Sequence, residues 1–423
     1  MAFFFTLLFI GFYYIRPFEF SAAFRMIPWL PVTGSVAFLS ILLTPENRRY
    51  LFRNGTDWLM IGFLLALLMS HVRHGYLGGL IDSFQNFLPT LFGYFLVTHS
   101  IQSKKQLNIF LLVLTLLSCF LAIEGIIEFH KGISYFGVEP IFQNSRNALG
   151  DLTRTVRIIW LGVFSDPNDL AMAFVIPVPI LLNSILVKKR IMALIPLALL
   201  LLGIFYTNSR GGMLAVCSSV VFYFVLRQKS LKGLIIASLV IAVLVVVGPS
   251  RMADLSASGA SAHGRVDAWY SGYQMFMQNP IFGVGKGLFT NFNDLTAHNS
   301  YVLVLGELGA FGLFFFTGVL VMPFRFCVLY VWGEQRNSME KKDLYFCASI
   351  YSALVGLLTT MFFLSRSYVV LPYMVVGLCM VLSRLYRTGE ENDISLDTVP
   401  VKNIAIIMLG IIVGIRVLVK VLL

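Results

Sequence analysis

Apolar residues in this chain come in long unbroken runs set apart by short polar turns, with little sign of the spaced apolar positions of a soluble helix or strand. The runs fall near 2–16, 26–43, 57–71, 84–99, 106–127, 168–187, 190–208, 211–226, 232–248, 298–323, 344–364, 367–383 and 401–421. Runs of about 20 residues cross the roughly 30 Å hydrocarbon layer of a bilayer as helices. Backbone groups in lipid must be satisfied within each span, and the runs lack the strict alternation of barrel strands. The pattern therefore predicts an all-α integral membrane protein, one polytopic domain over residues 1–423. It is a bundle of about 12 transmembrane helices, or 13 if the last run also crosses. Arg416 and Lys420 interrupt that last run, which can alternatively lie along the interface. No basic segment precedes the first run, which reads as an anchor rather than a cleaved signal peptide.

Composition agrees: with 58% hydrophobic and 13% charged residues the chain lacks the polar surface of a soluble fold. The net charge of +11 could suggest nucleic acid, but its distribution is a topology signal. With the N-terminus inside, the cytoplasmic turns hold Arg48, Arg49, Arg53, Lys104, Lys105, Lys188, Lys189, Arg190, Arg227, Lys229, Lys232, Arg325, Arg336, Lys341, Lys342, Arg384, Arg387 and Lys402. These are 18 of the 32 basic residues. Arg16 and Arg25 in the first outer turn dissent. The five cysteines lie in or beside apolar runs, odd in number and without paired spacing, so neither a disulfide framework nor a zinc site is indicated.

Two connections, about 129–167 and 249–297, are too long for plain turns, and both fall outside. Long ordered loops usually carry function, and these are expected to form a cap of short helices. The outer face collects Arg154 and Arg157, Arg210 in Tyr206-Thr-Asn-Ser-Arg-Gly-Gly212, Arg265, Lys286 in Gly283-Val-Gly-Lys-Gly287, and Arg366. Arginines at headgroup depth bind diphosphate oxygens two at a time and stabilise a leaving diphosphate without a metal; they can equally snorkel to phospholipid. Asp166 and Asp169 of Phe164-Ser-Asp-Pro-Asn-Asp-Leu170 read as an N-cap, with Asp166 or Asn168 accepting, rather than as a metal site. His298 opens His298-Asn-Ser-Tyr301 at the outer end of a span. An imidazole is the natural base for a sugar hydroxyl at neutral pH, though alone it serves as well as a headgroup anchor. His71 and His74 have metal-compatible spacing but no carboxylate or cysteine partner. The Gly283–Gly287 stretch lacks a nucleotide loop's ending and is expected to seat Arg265 against His298. Glu307, with Gly306, Gly309 and Gly312, reads either as a site residue or as part of a close helix contact.

In order and spacing these strings resemble the O-antigen ligase and polymerase superfamily of bacterial envelope assembly. The resemblance rests on Phe164-Ser-Asp-Pro-Asn-Asp-Leu-Ala171, which looks like the family's turn before its sixth span, and on Ser209-Arg-Gly, Arg265 with Trp269, Asn279-Pro-Ile-Phe-Gly-Val-Gly-Lys-Gly287, His298-Asn-Ser-Tyr and Glu307-Leu-Gly309. It covers about 164–312, and the flanks match in hydropathy alone. It implies a ligase-type glycosyltransferase in the bacterial inner membrane, its site facing the periplasm, moving a glycan from undecaprenyl diphosphate to a lipid A–core hydroxyl. His298 would be the base and Arg210 and Arg265 the diphosphate binders, with inversion and without metal, cofactor or nucleotide. Arg154, Arg157, Lys286, Asn299, Tyr301 and Arg366 are the further substrate-binding candidates. A repeat-unit polymerase of the same superfamily, accepting a second lipid-linked glycan, uses the same residues. A lipid-linked glycan flippase, the reading from another class, would place polar residues through mid-membrane.

Overall fold

The computed structural model describes residues 1–20, 24, 26–72, 75–146, 152–229, 259–387 and 398–422. The predicted run at 232–248, residues 249–258 of the second long loop, His74 and Arg25 lie outside them. Helices stand at the other twelve predicted runs. They are α1 (Ala2–Ile15), α2 (Trp29–Leu43), α3 (Gly55–Val72), α4 (Leu77–Ser100), α5 (Lys104–Lys131), α6 (Pro167–Val175) with α7 (Pro177–Leu186), α8 (Leu194–Thr207) and α9 (Arg210–Gln228). After α10 (Gly259–Gln278) come α11 (Ser300–Val321), α12 (Lys341–Phe363), α13 (Val370–Tyr386) and α14 (Val401–Leu422). Among the described residues seven helices, counting α6 and α7 as one, are long and apolar enough to cross a membrane.

The first long loop departs from expectation. Instead of short helices only, it forms an antiparallel hairpin, β1 (Ile141–Arg146) with β2 (Leu152–Arg157), Asn144 opposite Arg154. Ile141 and Phe142 in β1 and Thr153, Thr155 and Val156 in β2 suit strands, and pairing satisfies backbone groups that lie beyond the helix ends. A 3₁₀ turn, Gly162–Phe164, follows. The second long loop does carry a helix, α10.

The bundle closes through small and hydroxylated side chains, as expected where lipid offers no hydrophobic drive between helices. Ser218 on α9 and Thr359 on α12 share a hydrogen bond of 2.8 Å, and Gly356 on α12 leaves room for Val175 and Ser219. α4 packs on α13 and α3 on α11.

The two ends differ in kind. At one, Lys104 pairs with Asp343 at 2.8 Å, and Arg336 donates to the carbonyls of Leu226 and Arg227. This end gathers the basic turns assigned to the cytoplasm. The opposite end holds the hairpin, the start of α9 and the start of α11. α14 runs beside α11, Ile404 lying near Gly318, and also touches α10.

Candidate functional site

The start of α11 is the centre of the opposite end. Asn299 caps the helix, its side-chain oxygen accepting from the amides of Tyr301 (2.9 Å) and Val302 (3.1 Å). Entering that cap turns the backbone of His298 into the left-handed region, φ 45°. Histidine tolerates this better than most residues, yet it costs about 1–2 kcal/mol and persists only where neighbours enforce it. The neighbours are visible on both sides. The indole of Trp269 on α10 donates to the carbonyl of Ala297 at 2.9 Å. Ser300 accepts from the amide of Arg366 (2.9 Å) and donates to the carbonyl of Leu364 (2.6 Å), while Ser367 donates to Ser300's carbonyl (2.9 Å). His298 is thus held between α10 and the α12–α13 turn.

Charge is arranged around this imidazole. Burial, and then the neighbouring Arg265 cation, lower the His298 pKa below its ordinary 6.5, with Asp166 acting the other way and Arg366 reinforcing Arg265. Burial and Arg265 thus favour the neutral ring, the form that accepts a proton. Arg265 itself is brought down by burial and by the charge of Arg210. Two guanidinium groups thus lie close enough to disfavour one another, an arrangement that an anion between them would relieve. Arg210 opens α9, where Ser209 caps the helix by accepting from Gly212's amide at 3.0 Å. That helix end adds partial positive charge to the same place.

Arg157 reaches into the turn before Arg210. It donates to the carbonyl of Thr207 (2.9 Å) and to the side-chain oxygens of Gln143 and Asn168 (3.1 Å each). The hairpin thereby locks onto the α8–α9 corner, helped by Ile158's amide donating to Tyr206's carbonyl and by stacking of Phe129 on Tyr206. Arg154, exposed on the hairpin, lies with its guanidinium 3.8 Å from the Phe142 ring centre.

Not every candidate is brought to His298. Arg366 gives both arms of its guanidinium to the buried Asp169 at 2.5 Å each, which makes it a clamp between the α12–α13 turn and α6. Asn299 spends its side-chain oxygen on the cap. Tyr301 is turned into the bundle, its hydroxyl donating to the carbonyl of Leu358 at 3.3 Å. Lys286 sits elsewhere, its amide donating to Ser70 (3.1 Å) and its ammonium 5.9 Å from the ring of Tyr368.

The glycine turn that carries Lys286 also departs from expectation. It docks into a break in α11 rather than between Arg265 and His298. Gly309 has φ 63° and ψ −161° within the helix. The amides of Val284 and Gly285 donate to the carbonyls of Gly306 and Glu307, and those of Ala310 and Phe311 donate to Pro280 and Ile281. The turn satisfies the groups that the break frees. Glu307, just above the break, accepts from Tyr368's hydroxyl at 2.8 Å.

Two residues near the imidazole carry more than their motif suggested. Asp166 is the N-cap, accepting from the amide of Asn168 at 2.7 Å, and its charge also reaches His298. Asp169 holds Arg366. Both belong to Asp166-Pro-Asn-Asp169, whose capping signal is plain in the sequence, whereas its proximity to His298 is tertiary. Among the described residues no three His, Cys, Asp or Glu side chains gather where a metal ion could be held.

A family model described as O-antigen ligase matches residues 195–317, a stretch that contains Arg210, Arg265, His298 and Glu307. No curated protein matches the chain in a sequence search.

Proposed function

We propose that this chain, whose residues 195–317 belong to the O-antigen ligase superfamily, transfers a glycan from undecaprenyl diphosphate to a hydroxyl of an acceptor sugar. The acceptor is the lipid A–core of a bacterial envelope, and the reaction takes place at the periplasmic side of the inner membrane. The observation that carries this reading is the partly buried imidazole of His298, fixed between α10 and the α12–α13 turn, with Arg265 beside it and Arg210 close enough to Arg265 to disfavour its charge. His298 takes the proton of the acceptor hydroxyl while its oxygen bonds to the anomeric carbon. The bond from that carbon to the diphosphate breaks, and the electron pair leaves on the diphosphate oxygen. Arg265 and Arg210, with the start of α9, hold the growing charge. One base and one leaving group on opposite sides of the carbon give inversion. A repeat-unit polymerase differs only in the acceptor; the ligase reading is preferred on the description of the matched family.

Single-turnover transfer and donor binding, measured side by side on purified variants, test this division of labour. His298→Ala is expected to lower transfer by about 10²–10⁴ with donor affinity nearly unchanged. Arg210→Ala and Arg265→Ala are expected to weaken donor binding and to slow transfer by about 10²–10³. Lysine should rescue either only in part, because it lacks the two-pronged contact. Full transfer by His298→Ala would remove the base, and parental donor affinity in both arginine variants would remove the diphosphate clamp.

A further inference from the structure

The corner between α8 and α9 delivers Arg210, and the end of the hairpin runs along that corner. Ile158's amide donates to the carbonyl of Tyr206 (3.3 Å) and Arg157's Nε to that of Thr207 (2.9 Å). The side-chain amide of Asn208 completes the series, donating to the carbonyl of Val156 at 3.4 Å. As one segment ascends the other descends, so the two lie antiparallel and are joined residue by residue. Asn208 ends α8 in the left-handed region, φ 50°, which asparagine tolerates. Ser209 then caps α9, and Arg210 is the first residue of that helix.

Arg157 supplies the shortest of these ties and extends it to two further elements. Its cross-strand partner is Ile141, so Gln143, two residues on, shares its face of the hairpin. One terminal nitrogen of the guanidinium holds the Gln143 side-chain oxygen and the other holds that of Asn168, at 3.1 Å each. Asn168 is a firm anchor, because its own side chain donates to Asp166 at 2.8 Å in the first turn of the buried α6. α6 also meets α9 directly, since a Cβ on Gly212 would lie 2.7 Å from that of Ala171. One side chain thus ties the hairpin and α6 to the carbonyl three residues before Arg210.

This is not the posture of a diphosphate ligand. A guanidinium that clasps phosphate presents two N–H groups side by side to the anion, whereas each of the three nitrogens of Arg157 already holds a protein oxygen. We propose that Arg157 is a positioning residue of the donor site, fixing from behind the backbone from which Arg210 reaches the diphosphate and not binding the diphosphate itself. This rests on the glycan-transfer reading above. Without the tie, the corner is no longer referred to α6, and a small displacement of Arg210 forfeits much of its contact.

Side-chain chemistry separates the two roles. The Nε2 of a glutamine occupies the place of arginine's Nε, so Arg157→Gln keeps a donor for the Thr207 carbonyl and removes the charge. Equilibrium binding of bare undecaprenyl diphosphate is measured on the detergent-solubilised full chain and its variants. Arg157→Ala is expected to weaken binding by about tenfold, and Arg157→Gln by less than about threefold. In an Arg210→Ala background, Arg157→Ala should cost less than about twofold further, because a residue acting through Arg210 has nothing left to position. General loosening of the fold, or direct contact with the diphosphate, would instead lower affinity again in that background and would overturn the assignment. Parental affinity in Arg157→Ala overturns it too, as does a loss in Arg157→Gln beyond about threefold. If Arg157→Ala does not fold, Arg157→Gln decides alone, since removing the charge of a diphosphate ligand lowers affinity even where the corner holds. Failure of the donor reading is seen separately, as a parental chain that binds no undecaprenyl diphosphate.

Discussion

His298 combines a strained backbone with a tuned side chain, and the two can be separated. At φ 45° a glycine is relaxed, whereas alanine keeps the strain and loses the imidazole. His298→Gly is therefore expected to unfold at a higher temperature than His298→Ala, by about 1 kcal/mol, with both inactive; thermal unfolding in detergent reads this. The side chain has its own test. Its pKa lies below 6.5 because of burial and then Arg265, so the proton-accepting form should persist as pH falls below that value. Transfer is expected to fall through an acid limb centred below pH 6.5. Asp166 raises the pKa, so Asp166→Asn should move the limb further down while an asparagine keeps the cap. A limb at or above its parental position in Asp166→Asn would show that the ring titrating in the assay is not the one that Asp166 faces.

The break in α11 is the feature that most constrains the elements around the site. A Cβ at Gly283 would stand 2.3 Å from the carbonyl of Glu307, and one at Gly309 would stand 2.5 Å from that of Ile281. Both also have positive φ, so the turn and the break fit only while both residues are glycine. Gly283→Ala and Gly309→Ala are expected to cost more than about 2 kcal/mol. Gly287→Ala, with φ 81° but open space around it, should cost about 1 kcal/mol. Thermal unfolding of the three orders them, and equal losses would show that the steric fit is unimportant. The Arg366–Asp169 clamp is a second such joint. A double-mutant cycle to alanine is expected to give a coupling of about 1–3 kcal/mol, reported by unfolding, with His298-dependent transfer falling in either single variant as the α12–α13 turn loosens.

For the whole molecule, the orientation of the bundle can be read with thiols, because all five native cysteines are buried. Arg154→Cys on the hairpin is expected to react with a membrane-impermeant maleimide in spheroplasts. Lys189→Cys, in the turn between α7 and α8, should react only after lysis. Reaction of both in intact spheroplasts would reverse or abolish the proposed sidedness. Transfer with a defined lipid-linked donor is also expected to persist in EDTA and without ATP, since the arginines supply the charge that a metal otherwise would. A requirement for added magnesium or manganese would defeat that account.

How far the sequence alone reached follows from the physics of each feature. Long apolar runs determine helices because lipid offers the backbone no other partner, so among the described residues helices stand at all twelve runs that hydropathy marked. Basic turns alternate because they stay on one side, and they do collect at one end of the bundle. The Asp166 cap is local, a side chain reaching an amide two residues on, and it too was legible. Folding alone decided which charges meet. Nothing in the spacing of Arg210, Arg265 and His298 sets their distances, since these depend on how α9, α10 and α11 pack. The same packing gave Arg366 to Asp169, Asn299 to a cap and Tyr301 to the bundle, so residues alike in type and outward location acquired different work. The glycine turn shows the limit most clearly. Its glycines announced a turn, expected between Arg265 and His298, but only the break at Gly309, 22 residues beyond Gly287 and stitched to the turn by four backbone hydrogen bonds, determined where it docks.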